Sequence, residues 1–191
     1  MHIAIEGLDG AGKTQTAKVL AERLGFLFIE KPLHYLTDAL SSEFENYMRI
    51  TSLVNKMSDK KFRARFYGLG NLYTSYLSRV NNIITDRHLA SNYYWNNDSD
   101  DEYFKSLVSD CGHPDITYVL YVSSDERKRR IRSRDSEDPD LKRSVFSDEP
   151  YKRIVDFLEC SNMRYEVINA TKISLDEVVN IILKNILMQK N

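Results

Sequence analysis

The stretch that most limits what this chain can become lies near its amino terminus. Ile3-Ala4-Ile5 is apolar and short enough for a buried strand, and it leads straight into Gly7-Leu8-Asp9-Gly10-Ala11-Gly12-Lys13-Thr14. A helical repeat follows at once, with Ala17, Leu20, Ala21 and Leu24 on one face and Gly25 as its stop. Strand, glycine-rich loop and helix in that order make a phosphate cradle. Gly7, Gly10 and Gly12 allow turns that a Cβ would block, so successive N–H groups converge on one anion, and the new helix adds its positive end. Lys13 sets a charge against the outer phosphates of a nucleotide such as ATP, and the Thr14 hydroxyl is positioned to ligate Mg²⁺.

Further along, Phe26-Leu27-Phe28-Ile29 reads as a buried second strand that ends at Glu30-Lys31-Pro32, because proline cannot donate to a sheet. Residues 38 to 58 read as helical with a poor period. A clearer helix is expected from about Asp59 to Arg79, with Phe62, Phe66, Leu69, Tyr73, Tyr76, Leu77 and Val80 forming a broad apolar stripe for the core or a subunit interface. Gly68 and Gly70 cost such a helix about 1 kcal/mol each, which points to close approach by another backbone or to a local break. Ile83-Ile84-Thr85-Asp86 is the third strand, and Asp86-Arg87-His88 stands at its carboxyl end, the edge where open α/β sheets bind ligands. The aromatic cluster Tyr93-Tyr94-Trp95 follows and suits either base stacking or the core. Ile116 to Val122 is the fourth strand, and Ser123 with Glu126 forms a capping box for a helix dense in arginine: Arg127, Arg129, Arg130, Arg132 and Arg134.

Asp135-Ser136-Glu137-Asp138-Pro139-Asp140 is acidic and turn-prone. Salt bridging between the basic and acidic runs is one account of the pair; a basic lid over phosphates, spanning about residues 127–148, is the other. Tyr151 to Leu158 is helical, Tyr165 to Ala170 is the fifth strand, and Ser174 with Glu177 caps a last helix expected to bury Leu175, Val178, Val179, Ile182 and Ile186. Five short strands alternating with helices indicate an α/β protein of the P-loop NTPase kind. Its three layers are a five-stranded parallel sheet and helices on both faces.

The chain has 191 residues, enough for one domain spanning 1–191, and a net charge of -1 gives no general attraction to nucleic acid. Any anion site must be local. Cys111 and Cys160 lie far apart and outside any metal spacing, which suggests a reducing cytoplasmic setting. With a strand starting at residue 3 there is no room for a signal peptide, and no apolar run is long enough for a membrane span.

Taken together, Ile5 to Thr14, Asp86-Arg87-His88 with Ser91, Pro114-Asp115-Ile116-Thr117, Arg130-Ile131 with Arg134, and Val167-Ile168-Asn169-Ala170 with Glu177-Val178 resemble the thymidylate kinase family in order and spacing. The resemblance implies a nucleoside monophosphate kinase with ATP and Mg²⁺ as cosubstrates, acting on a deoxynucleoside monophosphate such as dTMP, and a homodimer packed through helices. By the same likeness Gly7 to Thr14 would hold ATP. Asp9 would face the acceptor sugar, Arg87 and Arg65 its phosphate, and Asp86 with Thr14 the metal. Because the loop has no internal arginine, Arg130 and Arg134 would supply transition-state charge beside Lys13. Departures gather on the acceptor side. Glu30-Lys31-Pro32 stands where many members have Arg-Glu-Pro, displacing the basic residue to Lys31; Trp95 and Asn96 fall on a Tyr-Gln pair; and His88 replaces a tyrosine.

Two other readings remain open at this point. A deoxynucleoside kinase acts on a neutral hydroxyl and wants a carboxylate base, for which Glu30 is placed. A nucleotide-binding protein without catalysis, including a switch, is the other. Guanine-selecting switches carry Asn-Lys-x-Asp, and Asn55-Lys56-Met57-Ser58 lacks the aspartate.

Overall fold

The computed structural model describes residues 1–38, 44–97, 100–138, 140–143 and 146–188. In chain order the elements are β1 (His2–Gly7), α1 (Lys13–Leu24), β2 (Leu27–Ile29), α2 (His34–Thr37), α3 (Glu45–Lys56), α4 (Lys60–Ser78), β3 (Ile83–Asp86), α5 (Leu89–Asn96), α6 (Asp101–Cys111), β4 (Ile116–Tyr121), α7 (Ser124–Arg134), α8 (Asp140–Arg143), α9 (Glu149–Cys160), β5 (Tyr165–Asn169) and α10 (Leu175–Met188). The strands form one parallel sheet in the order β2-β3-β1-β4-β5. The α/β class and the five-stranded parallel sheet expected from the sequence are therefore present.

Every residue of the central strand β1 is buried. Ile3 and Ile5 share one core with Ala17, Leu20 and Ala21 of α1 and with Val178, Val179, Ile182 and Ile186 of α10. Leu175, at the first turn of α10, is exposed rather than buried, and in the edge strand β2 only Ile29 is buried while Leu27 is exposed. The opposite core joins Val119 of β4 to Leu89, Ala90 and Tyr94 of α5, Phe104 and Leu107 of α6, and Ile154, Phe157 and Leu158 of α9. Helix α1 ends at Gly25, whose left-handed φ of 66° lets its N–H reach the carbonyls of Ala21 and Glu22.

Three expectations need correction. Of the helical segment expected over 38–58 the described residues show α3 alone, Glu45–Lys56; α2 precedes that range, and residues 39–43 lie outside the described residues. In α4 the period is right, and of the two places expected for the stripe it does not take the core of this chain. Phe62, Leu69, Tyr76 and Val80 are exposed, while Ala64, Gly68, Gly70, Asn71, Thr74 and Ser75 face the protein. The reason is close packing: a Cβ on Gly68 would stand 2.0 Å from the Tyr103 hydroxyl, and one on Gly70 would stand 3.1 Å from Pro32 Cγ. Small residues admit these side chains, and the helix continues unbroken. The two capping boxes also part company. Ser174 and Glu177 exchange bonds at 2.7 and 3.3 Å, but Ser123 makes no side-chain cap. Glu126 is taken instead by Arg129 and Arg130, whose charge-assisted bonds outweigh a neutral N–H.

Candidate functional site

The cradle is built where β1 runs out against β4. Gly10 and Gly12 take left-handed φ values of 81° and 88°, and Ala11 N donates to Leu8 O at 3.1 Å, closing the loop before α1 begins at Lys13. Lys13 Nζ donates to Leu8 O at 2.8 Å. Burial, helped by the positive charge of Arg87, lowers its pKa to about 8, a shift that a bound anion would reverse. Thr14 Oγ1 donates to Asp86 Oδ2 across the loop, and Asp86 Oδ1 is buried with no hydrogen-bond partner among the described residues. A hydroxyl and a carboxylate with an unmet oxygen suit Mg²⁺, which takes one or two protein oxygens and completes its shell from phosphates and water. Among the described residues no group of three or more His, Cys, Asp or Glu forms a separate metal cluster.

Arg87 stands at the carboxyl end of β3 with φ of 72°, a left-handed conformation that costs a side-chain-bearing residue about 1–2 kcal/mol. Its guanidinium pairs with the Asp9 carboxylate and donates to Ser91 Oγ at 3.3 Å and Gly7 O at 3.4 Å. The loop and the end of β3 thus share one cation. Under them lies Glu6, which sequence reasoning left without a role. It is wholly buried and accepts from His88 N at 2.8 Å, Ser91 N at 3.1 Å and the Ser91 hydroxyl. Burial raises its pKa, and those hydrogen bonds with the nearby Arg87 charge oppose the rise. An acid inside an apolar central strand was the available signal, since a buried carboxylate must be met by donors.

Helix α7 flanks the loop on the other side. Arg127 is fully buried; its guanidinium donates to Ser147 O at 3.3 Å and lies over the Tyr151 ring. Arg130 reaches the loop itself: Nη1 is 3.9 Å from where a Cβ on Gly12 would stand. Its Nε donates to Glu126 at 2.8 Å and its Nη2 to Ala170 O at 2.8 Å. Arg129 and Arg130 together hold Glu126 ionised, lowering its pKa to about 2. Arg134, one turn on, is mostly exposed and bonded to Asp138 at 2.9 Å and Asp140 at 3.3 Å. Of the two accounts of the basic and acidic runs, salt bridging is the one realised at Arg134; residues 139, 144 and 145 of that stretch lie outside the described residues.

The other acceptor-side residues are scattered. Lys31 Nζ donates to Glu30 Oε1 at 2.9 Å and lies over the Phe44 ring. Burial raises the pKa of Tyr47, which also feels the charges of Glu30 and Arg87, so the three share one neighbourhood. Arg65 turns to Asp100 at 3.2 Å and stacks on Tyr103, away from these groups. Arg63 is half-buried with its Nε enclosed and its Nη1 bonded to Met57 O at 3.0 Å. Trp95 is partly exposed and meets Tyr94 edge-on, whereas Asn96 is buried and donates to Asn92. An open cleft of about 520 Å³ at the ends of β4 and β5, lined by Tyr121, Ser123, Asn169, Thr171, Lys172 and Ile173, adjoins the Arg130 anchor.

A parallel sheet of this order, with a glycine loop and Lys-Thr opening the first helix and an arginine helix beside them, defines a P-loop nucleotide phosphotransferase. The family model described as thymidylate kinase matches residues 5–182, and the chain belongs to the thymidylate kinase family. It is 28% identical over 194 residues to the probable thymidylate kinase of Methanocaldococcus jannaschii, covering 97% of each chain. Among solved structures, thymidylate kinase from Ehrlichia chaffeensis superposes with a TM-score of 0.63 at 18% identity, over 98% of each chain. Deoxyadenosine kinase from M. mycoides with bound dATP does so with 0.60 at 20%, over 97% of this chain and 99% of that one. These likenesses show the shared fold. Family membership implies a nucleotide substrate and ATP as donor.

Proposed function

We propose that this chain transfers the γ-phosphoryl group of ATP to dTMP, giving dTDP and ADP. The observation that carries the reading is the Arg87–Asp9 pair beside the loop, which puts a half-buried cation where an anionic acceptor has to sit. A phosphate acceptor has a second pKa of about 6 and is already ionised near neutral pH, so the site must align and neutralise rather than abstract a proton. Arg87 would hold the acceptor phosphate and Asp9 its sugar hydroxyl, with Lys31, Trp95 and Arg65 at the acceptor's periphery. An acceptor oxygen then attacks Pγ as the bond from Pγ to the ADP oxygen breaks. Gly7 to Thr14 cradle the donor phosphates, Lys13 neutralises the travelling group, and Arg130 adds charge from beside Gly12. Arg134 joins only by giving up Asp138 and Asp140, as a lid over 127–148 would do on closing. Thr14 and Asp86 would hold Mg²⁺, which would supply charge neutralisation to the donor phosphates. The cleft at the ends of β4 and β5 suits the donor base.

We further read residues 1–191 as a single domain working as a homodimer, with the exposed apolar face of α4 covered by a second copy. The free thiols of Cys111 and Cys160 fit a cytoplasmic setting. A deoxynucleoside kinase is the second reading, favoured by Glu30 at the end of β2 near Tyr47; its bond to Lys31 speaks for a structural ion pair instead. Coupled ADP release with dTMP against thymidine separates the two. Turnover with dTMP that survives Glu30→Gln supports the first reading. Turnover with thymidine alone, lost in Glu30→Gln, rejects it.

A further inference from the structure

The direction in which Arg87 points is set by an unusual turn. Its φ of 72° is left-handed, and helix α5 begins directly behind it with an N-cap residue, His88, that supplies no side-chain cap. The first-turn donors are met by a different strand. Glu6 Oε1 accepts from His88 N at 2.8 Å and Ser91 N at 3.1 Å, and Glu6 Oε2 accepts from the Ser91 hydroxyl. Ser91 Oγ accepts in turn from Arg87 Nη1 at 3.3 Å. The neighbours of Glu6 grip the same residue: Arg87 N donates to Ile5 O at 3.0 Å and its Nη1 to Gly7 O at 3.4 Å. Three successive residues of β1 thus hold the turn, and only Glu6 does so through a side chain.

We propose that Glu6 is a positioning residue for the acceptor, whose buried carboxylate caps α5 across the sheet and, through Ser91, fixes the direction in which Arg87 presents its guanidinium. The inference rests on the reading of Arg87 as the ligand of the acceptor phosphate. A carboxylate is the group the place demands. It only accepts, and everything facing it donates: two amides and a hydroxyl. A glutamine there would still accept from the amides but would turn an NH₂ toward Ser91 Oγ, competing with Arg87 for the same oxygen. An apolar residue would strand all three donors in a dry site. The negative charge also reaches Arg87 and favours its charged form.

The test is a double-mutant cycle on the full chain with Glu6→Gln, Arg87→Ala and the pair, read by steady-state kinetics with dTMP and ATP and by amide exchange. Glu6→Gln is expected to raise the KM for dTMP about tenfold or more while the KM for ATP stays within about twofold. In the Arg87→Ala background the same change should add less than about twofold, because the two act in series. Exchange at the His88 and Ser91 amides should quicken while β1 and β4 stay protected. Glu6→Asp, one methylene shorter, replaces the glutamine variant if that one does not fold. An unchanged dTMP KM alongside a raised one in Arg87→Ala would overturn the proposal. So would an equal penalty in both backgrounds, or unaltered exchange at the two amides. Arg87→Ala with a normal dTMP KM rejects the role of Arg87 instead, and exchange at His88 and Ser91 then decides alone whether Glu6 holds the turn.

Discussion

Gly10→Ala should uncouple the phosphate loop from the arginine helix, and the size of the effect can be worked from two features of the structure. The first is backbone conformation: φ of 81° costs alanine about 1–2 kcal/mol relative to glycine. The second is contact. A Cβ here would lie 2.8 Å from Arg127 O and 3.1 Å from Arg127 Cα, both backbone atoms of α7. Restoring an ordinary separation of ~3.5 Å moves the first turns of α7 by about 0.7 Å, a strain of about 1–3 kcal/mol. The sum is about 2–5 kcal/mol, which for a domain of this size lowers Tm by roughly 5–15 °C. Gly25→Ala is the matched control, since Gly25 has φ of 66° with nothing within 4 Å of an added Cβ. It should show the backbone cost alone, a few degrees. Because Arg130 rides on α7 beside Gly12, kcat in Gly10→Ala should also fall by about 10- to 100-fold, while Gly25→Ala leaves it unchanged. Thermal melts and initial rates at saturating ATP read both effects. If the two variants melt together and turn over alike, the contact between loop and α7 does not matter as argued.

Arg130→Ala and Arg134→Ala should each lower kcat by about 10³ while ATP binding weakens far less; near-normal turnover in both would take the lid arginines out of the reaction. Burial lowers the His2 pKa to about 4, so protonation favours the unfolded chain. The stability His2 contributes is therefore complete above about pH 6.5 and is lost as pH falls toward 4, about 3 kcal/mol at the acid limit. His2→Gln should flatten that part of the curve in urea melts between pH 7 and 4, and an unchanged slope would contradict the assignment. Leu69→Asp, on the exposed face of α4, should convert a dimer to a monomer in sedimentation without changing Tm by more than a few degrees; a parent that already sediments as a monomer ends that reading. Ser174→Ala should cost about 1 kcal/mol, the worth of its reciprocal cap with Glu177.

Local chemistry was easiest to read where backbone and side chain demanded the same thing. At Gly7 to Gly25 the turn residues, the helical period and the stop all agreed, and β1, the loop and α1 follow the sequence closely. The stripe on α4 stays out of this chain's core because apolar spacing says which face seeks cover, not what provides it. The inner face had to be small to admit Tyr103, Pro32 and Leu33, so its large side chains went outward. Ser123 and Glu126 matched a capping pattern, yet arginines three and four residues beyond Glu126 offered stronger partners, a competition visible in the spacing itself. Helix α6 buries only Phe104 and Leu107 and left too thin a stripe to be read. On the site, the loop, Asp86 and Arg87 come together around Asp9 and Thr14, while Arg65 and Arg134 turn to acidic partners that sequence order could not reveal.

The most direct measurement offers ATP labelled in its γ-phosphate to the protein with thymidine and dTMP present together in equal amount, and asks where the label goes. Transfer to dTMP, with labelled dTDP as the first product and no signal from Lys13→Ala, is the result expected of a half-buried cation beside a phosphate cradle. Label appearing first in dTMP made from thymidine, or transfer to neither acceptor, would contradict it.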